Sequence, residues 1–238
     1  MEIKITKNYQ EMSELAAKEV AKILAEVEQP VLGLATGSTP IGLYEELSKM
    51  DLDFSKTVSV NLDEYIGLDG NHPQSYRYFM NDKLFNHINI DKKNTYVPDG
   101  SMADAHQAAR DYEELLSKLG RIDLQILGIG NNGHIGFNEP DRALSLPTHV
   151  VKLEESTIEA NARFFDSIDE VPKEAITMGV GSIMRAKKIV VLASGEAKAS
   201  IIKSLVDEYV STELPASLLK FHPNVLLIID EAAASLLD

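Results

Sequence analysis

Met12, Leu15, Ala16, Val20, Ile23, Leu24 and Val27 recur at three- and four-residue intervals and so share one helix face. Ala105, Ala108, Ala109, Tyr112, Leu115, Leu116 and Leu119 form a second stripe, which Gly120 stops. Short apolar runs rich in β-branched residues lie at 31–35, 57–62, 123–129, 189–192 and 225–229, with a shorter strand candidate at 94–97. Several of these runs are apolar at consecutive rather than alternate positions. Strands of that kind are buried on both faces, as in a parallel sheet covered by helices. The βαβα order predicts a doubly wound α/β fold. No Ser/Gly-rich linker, low-complexity tract or internal repeat divides the 238 residues, so a single domain over 1–238 is expected.

Two stretches break the rhythm. Residues 131–147 carry Gly and Pro punctuation without an apolar period, and a loop of that length in a small domain is usually functional. Residues 153–172 read as a helical lid joined by polar, charged ends. In open α/β sheets ligands bind beyond the carboxyl ends of the strands. The search for chemistry therefore begins just after residues 35, 62, 129 and 192.

Ala35-Thr36-Gly37-Ser38-Thr39-Pro40 follows the first of these strands. Pro40 suits the first position of a helix, with Ser38 or Thr39 as its cap and Leu43 and Leu47 on its buried face. A glycine turn, two hydroxyls and free amides at a helix N-terminus make an anion site, though not a Walker loop. Asn61-Leu62-Asp63-Glu64-Tyr65 puts two carboxylates where a strand leaves the sheet. Neighbouring strand residues point to opposite faces, so Asp63 and Glu64 should diverge, one entering the cleft and the other meeting solvent or a cation.

The run from Gly128 to Pro140, Gly-Ile-Gly-Asn-Asn-Gly-His-Ile-Gly-Phe-Asn-Glu-Pro, contains a literal G-x-G-x-x-G. A dinucleotide fingerprint needs a helix to open on the third glycine. Residues 134–140 have no helical period, so the glycines instead let backbone approach a ligand closely. His134 and Glu139 bracket that approach as a candidate acid–base pair, since a carboxylate fixes an imidazole's tautomer. No second ligand stands at metal spacing, so no metal site is expected. Arg163 in the lid and Lys198, which opens a helix after Ala193-Ser194-Gly195, would complete a phosphate clamp with Gly37, Ser38 and Thr39.

Lys and Arg total 23 against 37 Asp and Glu, a net charge of −14, which argues against duplex nucleic acid or an anionic membrane as partner. An anionic metabolite remains compatible, because a few local amides, hydroxyls and cations suffice to bind it. With no cysteine there are no disulfides, thiolate metal sites or thiol nucleophile. No apolar run approaches the ~20 residues of a membrane span, and Met1 is followed by mixed, charged sequence, so a cytoplasmic protein without a signal peptide is expected.

Together these stretches resemble the glucosamine-6-phosphate deaminase family. The similarity covers 35–40, 62–65, 128–140 and 160–165, with Gly179-Val180-Gly181 and 218–223, in order and nearly end to end. The resemblance implies a modified Rossmann-like α/β sandwich and conversion of D-glucosamine 6-phosphate and water to D-fructose 6-phosphate and ammonia. It makes Asp63 the base at carbon 2 and His134 the acid–base group of ring opening, with Glu139 and Asn132 orienting that histidine. Gly37, Ser38, Thr39, Arg163 and Lys198 correspond to phosphate contacts. No metal or organic cofactor is implied. Some members carry Asp at the position of Asn132; an amide orients the imidazole without adding charge. Members activated by an N-acetylated sugar phosphate carry basic residues where His149 and Val151 stand here, so a monomer or weak oligomer without allosteric activator is expected.

Three other readings share parts of this pattern. A 6-phosphogluconolactonase shares the Gly-His turn but has no use for a carbon-2 base at Asp63. A galactosamine-phosphate isomerase or deaminase would use the same machinery. A non-catalytic sugar-phosphate sensor could do without Asp63, His134 and Glu139, and would need an effector module for which the length leaves no room.

Overall fold

The computed structural model of the chain describes residues 1–153, 158 and 167–237. The predicted apolar runs become β2 (Val31–Leu34), β3 (Val58–Asn61), β5 (Thr95–Tyr96), β6 (Leu124–Gly128), β9 (Ile189–Ala193) and β10 (Val225–Asp230). A further strand, β1 (Glu2–Thr6), joins them in a parallel sheet of order β1-β10-β9-β6-β2-β3-β5. Every residue of β2, β9 and β10 is buried, as expected of strands covered on both faces. β1 escapes the apolar-run rule because it is an exposed edge, where Ile3 and Ile5 alternate with Glu2 and Lys4 and the ladder to β10 holds it.

The two predicted helical stripes are α1 (Tyr9–Glu26) and α4 (Ala105–Leu119). Gly120 ends the latter at φ 84°. Met12, Ala16, Ala17 and Val20 of α1 are fully buried. Their removal from water, with that of the strand residues, is the main stabilising term, at ~1.5–3 kcal/mol for each large aliphatic side chain.

A helix α2 (Ile41–Lys49) follows β2 and buries Leu43 and Leu47 as expected, but its cap differs from the prediction. Pro40 is the capping residue and no side-chain hydrogen bond from Ser38 or Thr39 closes the end. Tyr9 of α1 takes over: its hydroxyl accepts from Gly42 N–H at 2.7 Å and faces the carbonyls of Ser38 and Thr39 at 3.1 Å. The cap comes from 33 residues away, beyond the reach of a local rule.

A second, antiparallel sheet was not predicted. β4 (Asp63–Tyr65), β7 (His149–Lys152) and β8 (Glu174–Thr177) pair in the order β4-β8-β7. These strands are too short to show a period. The chain crosses between the sheets at Leu62, whose N–H donates to Leu34 and whose carbonyl accepts from Met178.

The order of the main sheet fixes where a ligand sits. From β2 the chain proceeds outward to β3 and β5, then returns to β6 on the other side of β2. The carboxyl ends of β2 and β6 therefore flank the topological switch point, where the two departing loops part and leave a crevice.

Candidate active site

A cleft of about 540 Å³ opens at that switch point. The turn after β2, the start of β4 and the loop after β6 line it. Gly37, Ser38, Thr39, Asp63, Asn132, His134, Glu139 and Lys198 all face it, so residues from four distant parts of the sequence converge. Arg163 lies outside the described residues, as does most of the lid assigned to 153–172; residues 168–170 of that stretch form a single helical turn.

Gly37 adopts φ 89°, a conformation that favours glycine, and turns the chain so that the loop faces the cleft. Gly130 answers a different need: a Cβ there would stand 2.4 Å from Cε1 of His134, so only glycine lets the imidazole lie against the backbone.

His134 is held by its own loop. Its backbone N–H donates to Asn132 Oδ1 at 3.2 Å, and Asn132 Nδ2 donates to Glu139 Oε2 at 2.6 Å. Glu139 Oε1 stands 2.9 Å from His134 Nδ1, within ion-pair distance, although the ring N–H is not aligned for a linear hydrogen bond. The network uses both ends of the Asn132 amide. A carboxylate there could accept from His134 but could not donate to Glu139. Burial raises the proton affinity of Glu139, and the contacts with His134 and Asn132 outweigh it, leaving the carboxyl below its ordinary range.

Asp63 lies across the same cleft, only 6% exposed. Burial, then the neighbouring Glu64 carboxylate, pushes its pKa up to about 8. The two acidic side chains diverge as predicted, but Glu64 meets neither solvent nor, in the first place, a cation. It is buried and accepts three backbone N–H groups, those of Tyr65, Tyr76 and Arg77, each at 2.9 Å.

Lys198 donates to the Ile129 carbonyl at 2.8 Å and Asn131 Oδ1 at 2.7 Å, which holds its ammonium at the cleft wall. Burial lowers its pKa. Asp230 steadies the preceding turn by accepting from Gly195 N–H and the Ser194 hydroxyl.

Sequence reasoning missed Thr36, Tyr76, Asn131 and Phe137, which also line the cleft. Tyr76 stacks on Phe137 at 6.2 Å and 12° and donates its hydroxyl to that of Tyr65 at 3.0 Å. The sequence carries no local signal that Tyr76 reaches this place. Among the described residues no cluster of three metal-binding side chains exists, and no helix is long and apolar enough to cross a membrane.

A switch-point crevice with titratable groups on facing walls makes this chain an α/β enzyme for a small ligand. It belongs to the family described as glucosamine-6-phosphate isomerases/6-phosphogluconolactonase, whose model matches residues 6–227. It is 58% identical to a glucosamine-6-phosphate deaminase of Clostridium perfringens, with both chains covered in full. The deaminase of Thermoanaerobacter pseudethanolicus is 56% identical over all of this chain and 95% of its own. A solved structure of a monomeric glucosamine-6-phosphate deaminase superposes with a TM-score of 0.96 at 44% identity, covering 99% of this chain and all of the other. The 6-phosphogluconolactonase of Trypanosoma brucei shares the fold, with a TM-score of 0.80 at 18% identity over all of this chain and 98% of its own.

Proposed function

We propose that the chain converts D-glucosamine 6-phosphate and water to D-fructose 6-phosphate and ammonia. The observation that carries this reading is the buried Asp63 carboxylate facing the same cleft as the His134–Glu139 pair. Ring opening needs a group that takes a proton from the anomeric hydroxyl and returns one to the ring oxygen. Moving the double bond along the open chain needs a second group at carbon 2. Hydrolysis of a lactone uses only the first kind of chemistry.

The substrate phosphate lies against the amides and hydroxyls of Gly37, Ser38 and Thr39, with Lys198 and Arg163 as its cations. His134, oriented by Glu139 and Asn132, transfers the anomeric proton to the ring oxygen and the pyranose opens to the aldehyde. Asp63 then takes the proton from carbon 2, the electron pair forms the carbon 1–carbon 2 double bond, the aldehyde oxygen takes a proton from the substrate's own ammonium, and an enolamine results. The same proton is delivered to carbon 1, giving the carbon-2 imine. Water adds to that imine, the carbon–nitrogen bond breaks, and ammonia leaves with fructose 6-phosphate behind. Burial makes Asp63 a stronger base than an exposed carboxylate, which suits removal of a carbon-bound proton near neutral pH.

We infer an enzyme that works in the cytoplasm without an allosteric activator, as a single protomer like the relative described as monomeric. Purified protein is expected to release ammonium from glucosamine 6-phosphate without added metal or nucleotide. The rate curve is expected to be hyperbolic, and light scattering to report one protomer. Absence of ammonium, with hydrolysis of 6-phosphogluconolactone in its place, would reverse the assignment within the family. A sigmoidal curve or a hexamer would overturn the unregulated monomer.

A further inference from the structure

Glu64 is 3% exposed and points away from the cleft, yet it touches two of the elements that build it. It stands on β4 immediately after Asp63, where β8 presents the uncharged Ile176 opposite it. Its two oxygens close the N-terminus of a short helix, α3 (Tyr76–Met80): Oε1 accepts from Tyr76 N–H and Oε2 from Arg77 N–H. The Ser75 side chain accepts from Tyr78 N–H, and the Ser75 carbonyl from Phe79 N–H. Every amide donor of that helix start therefore has a partner, and Glu64 supplies two of them. The carboxylate comes from outside the local segment, in a position where negative charge is favoured.

We infer that Glu64 is a positioning residue for this reaction, pinning Tyr76 at the cleft wall and holding a negative charge directly behind Asp63. The inference rests on Asp63 acting as the base. Burial raises the proton affinity of Glu64, and the three amides and Arg77 oppose that rise; a carboxylate clamped on helix amides cannot swing away, so once ionised its charge stays fixed behind Asp63. Fixed like charge opposes ionisation of a neighbouring acid. The groups around the pair are few. Arg77 faces Glu64 from α3, Tyr76 of the same helix and Tyr112 of α4 lie near Asp63, Tyr65 lies beside Tyr76, and the loop before α4 contributes the uncharged backbone of Gly100, which is packed against the Glu64 stem. Arg77 turns its guanidinium onto Thr95, donating to its hydroxyl and carbonyl at 2.8 Å, and so does not cancel the Glu64 charge by direct pairing.

The test is Glu64→Gln, read by carboxyl carbon NMR of Asp63 and by the pH profile of kcat/KM. Both the Asp63 titration and the acid limb are expected to move down by about one pH unit, since losing the neighbouring charge favours ionised Asp63. Glu64→Asp keeps the charge on a shorter arm; it should leave the limb in place and raise KM several-fold as Tyr76 shifts. An unmoved Asp63 titration in folded Glu64→Gln would overturn the inference. A moved titration with an unmoved kinetic limb would instead overturn Asp63 as the base while upholding the coupling. If Glu64→Gln does not fold, the wild-type titration decides: the Asp63 curve must show a second inflection where Glu64 ionises, and a single step would overturn the coupling.

Discussion

Nδ1 of His134 lies 2.9 Å from Oε1 of Glu139, while the other oxygen of that carboxylate is tied to Asn132. A carboxylate so held cannot rotate away when the imidazole turns to meet a substrate. Glu139→Gln keeps the shape and removes the charge that faces the imidazole. It is expected to lower kcat by about 10²-fold, toward the smaller end of general acid–base effects, with little change in KM. Steady-state kinetics on the phosphorylated amino sugar would check this, and an unchanged kcat would dissociate Glu139 from ring opening.

Asp63→Asn should lower kcat by ~10²–10⁴-fold, as expected for loss of a general base. The same variant carries a stability signature. The folded pKa of Asp63 is raised to about 8, above the ordinary carboxylate value, so the folded state binds its proton more tightly than the unfolded chain. Its contribution to stability therefore falls as pH rises through the window between the two values, and a cost of up to a few kcal/mol is complete above about pH 8. The asparagine has no such cost. Thermal melts should show the variant more stable than the wild type at pH 8, with the advantage vanishing near pH 4. Equal melting temperatures at both pH values would contradict the raised proton affinity of the buried Asp63.

Tyr9→Phe removes the hydroxyl that accepts from Gly42 N–H and faces the carbonyls of Ser38 and Thr39. Loss of a helix cap is worth ~0.5–2 kcal/mol, so chemical denaturation should report destabilisation of that size. Because the same hydroxyl braces the turn that faces the phosphate, KM should rise several-fold while kcat is nearly kept. A KM equal to the wild type would show that the turn needs no support from α1.

Lys198→Ala should raise KM for the phosphorylated substrate by about tenfold or more, the effect of losing one charge-assisted contact. Inhibition by inorganic phosphate should weaken in parallel. Lys198 also donates to Ile129 and Asn131, so a control is needed. Asn131→Ala removes one of these anchors without the charge and should have a smaller effect on KM. Equal effects of the two would make Lys198 a brace rather than a phosphate ligand.

Much of the framework was legible because burial is written into local composition. Val225, Leu226, Leu227, Ile228 and Ile229 cannot be solvated on either face, so a strand covered by two layers is the stable outcome. The stripe ending at Leu119 and the glycine after it likewise predict a helix and its stop, and the structure has both. The edge strand β1 was not legible, since Ile3 and Ile5 remain exposed and only the ladder to β10 defines them as strand.

Most of the site was legible from where chemistry-bearing residues fall relative to strand ends. Asp63, His134, Glu139, Asn132, Lys198 and the Gly37 turn all follow strands, and a parallel sheet brings those ends to one edge. What the sequence alone determined was thus six of the seven strands of the main sheet, the two long helices that cover them and the loops able to carry catalysis. Tertiary structure decided the rest: Tyr9 capping a helix 33 residues away, the small antiparallel sheet that aims Asp63 inward, and Glu64 closing the helix that carries Tyr76. The physical reason is range. Periodicity and capping preferences act over a few residues, whereas these contacts join segments that meet only once the sheet order has been set.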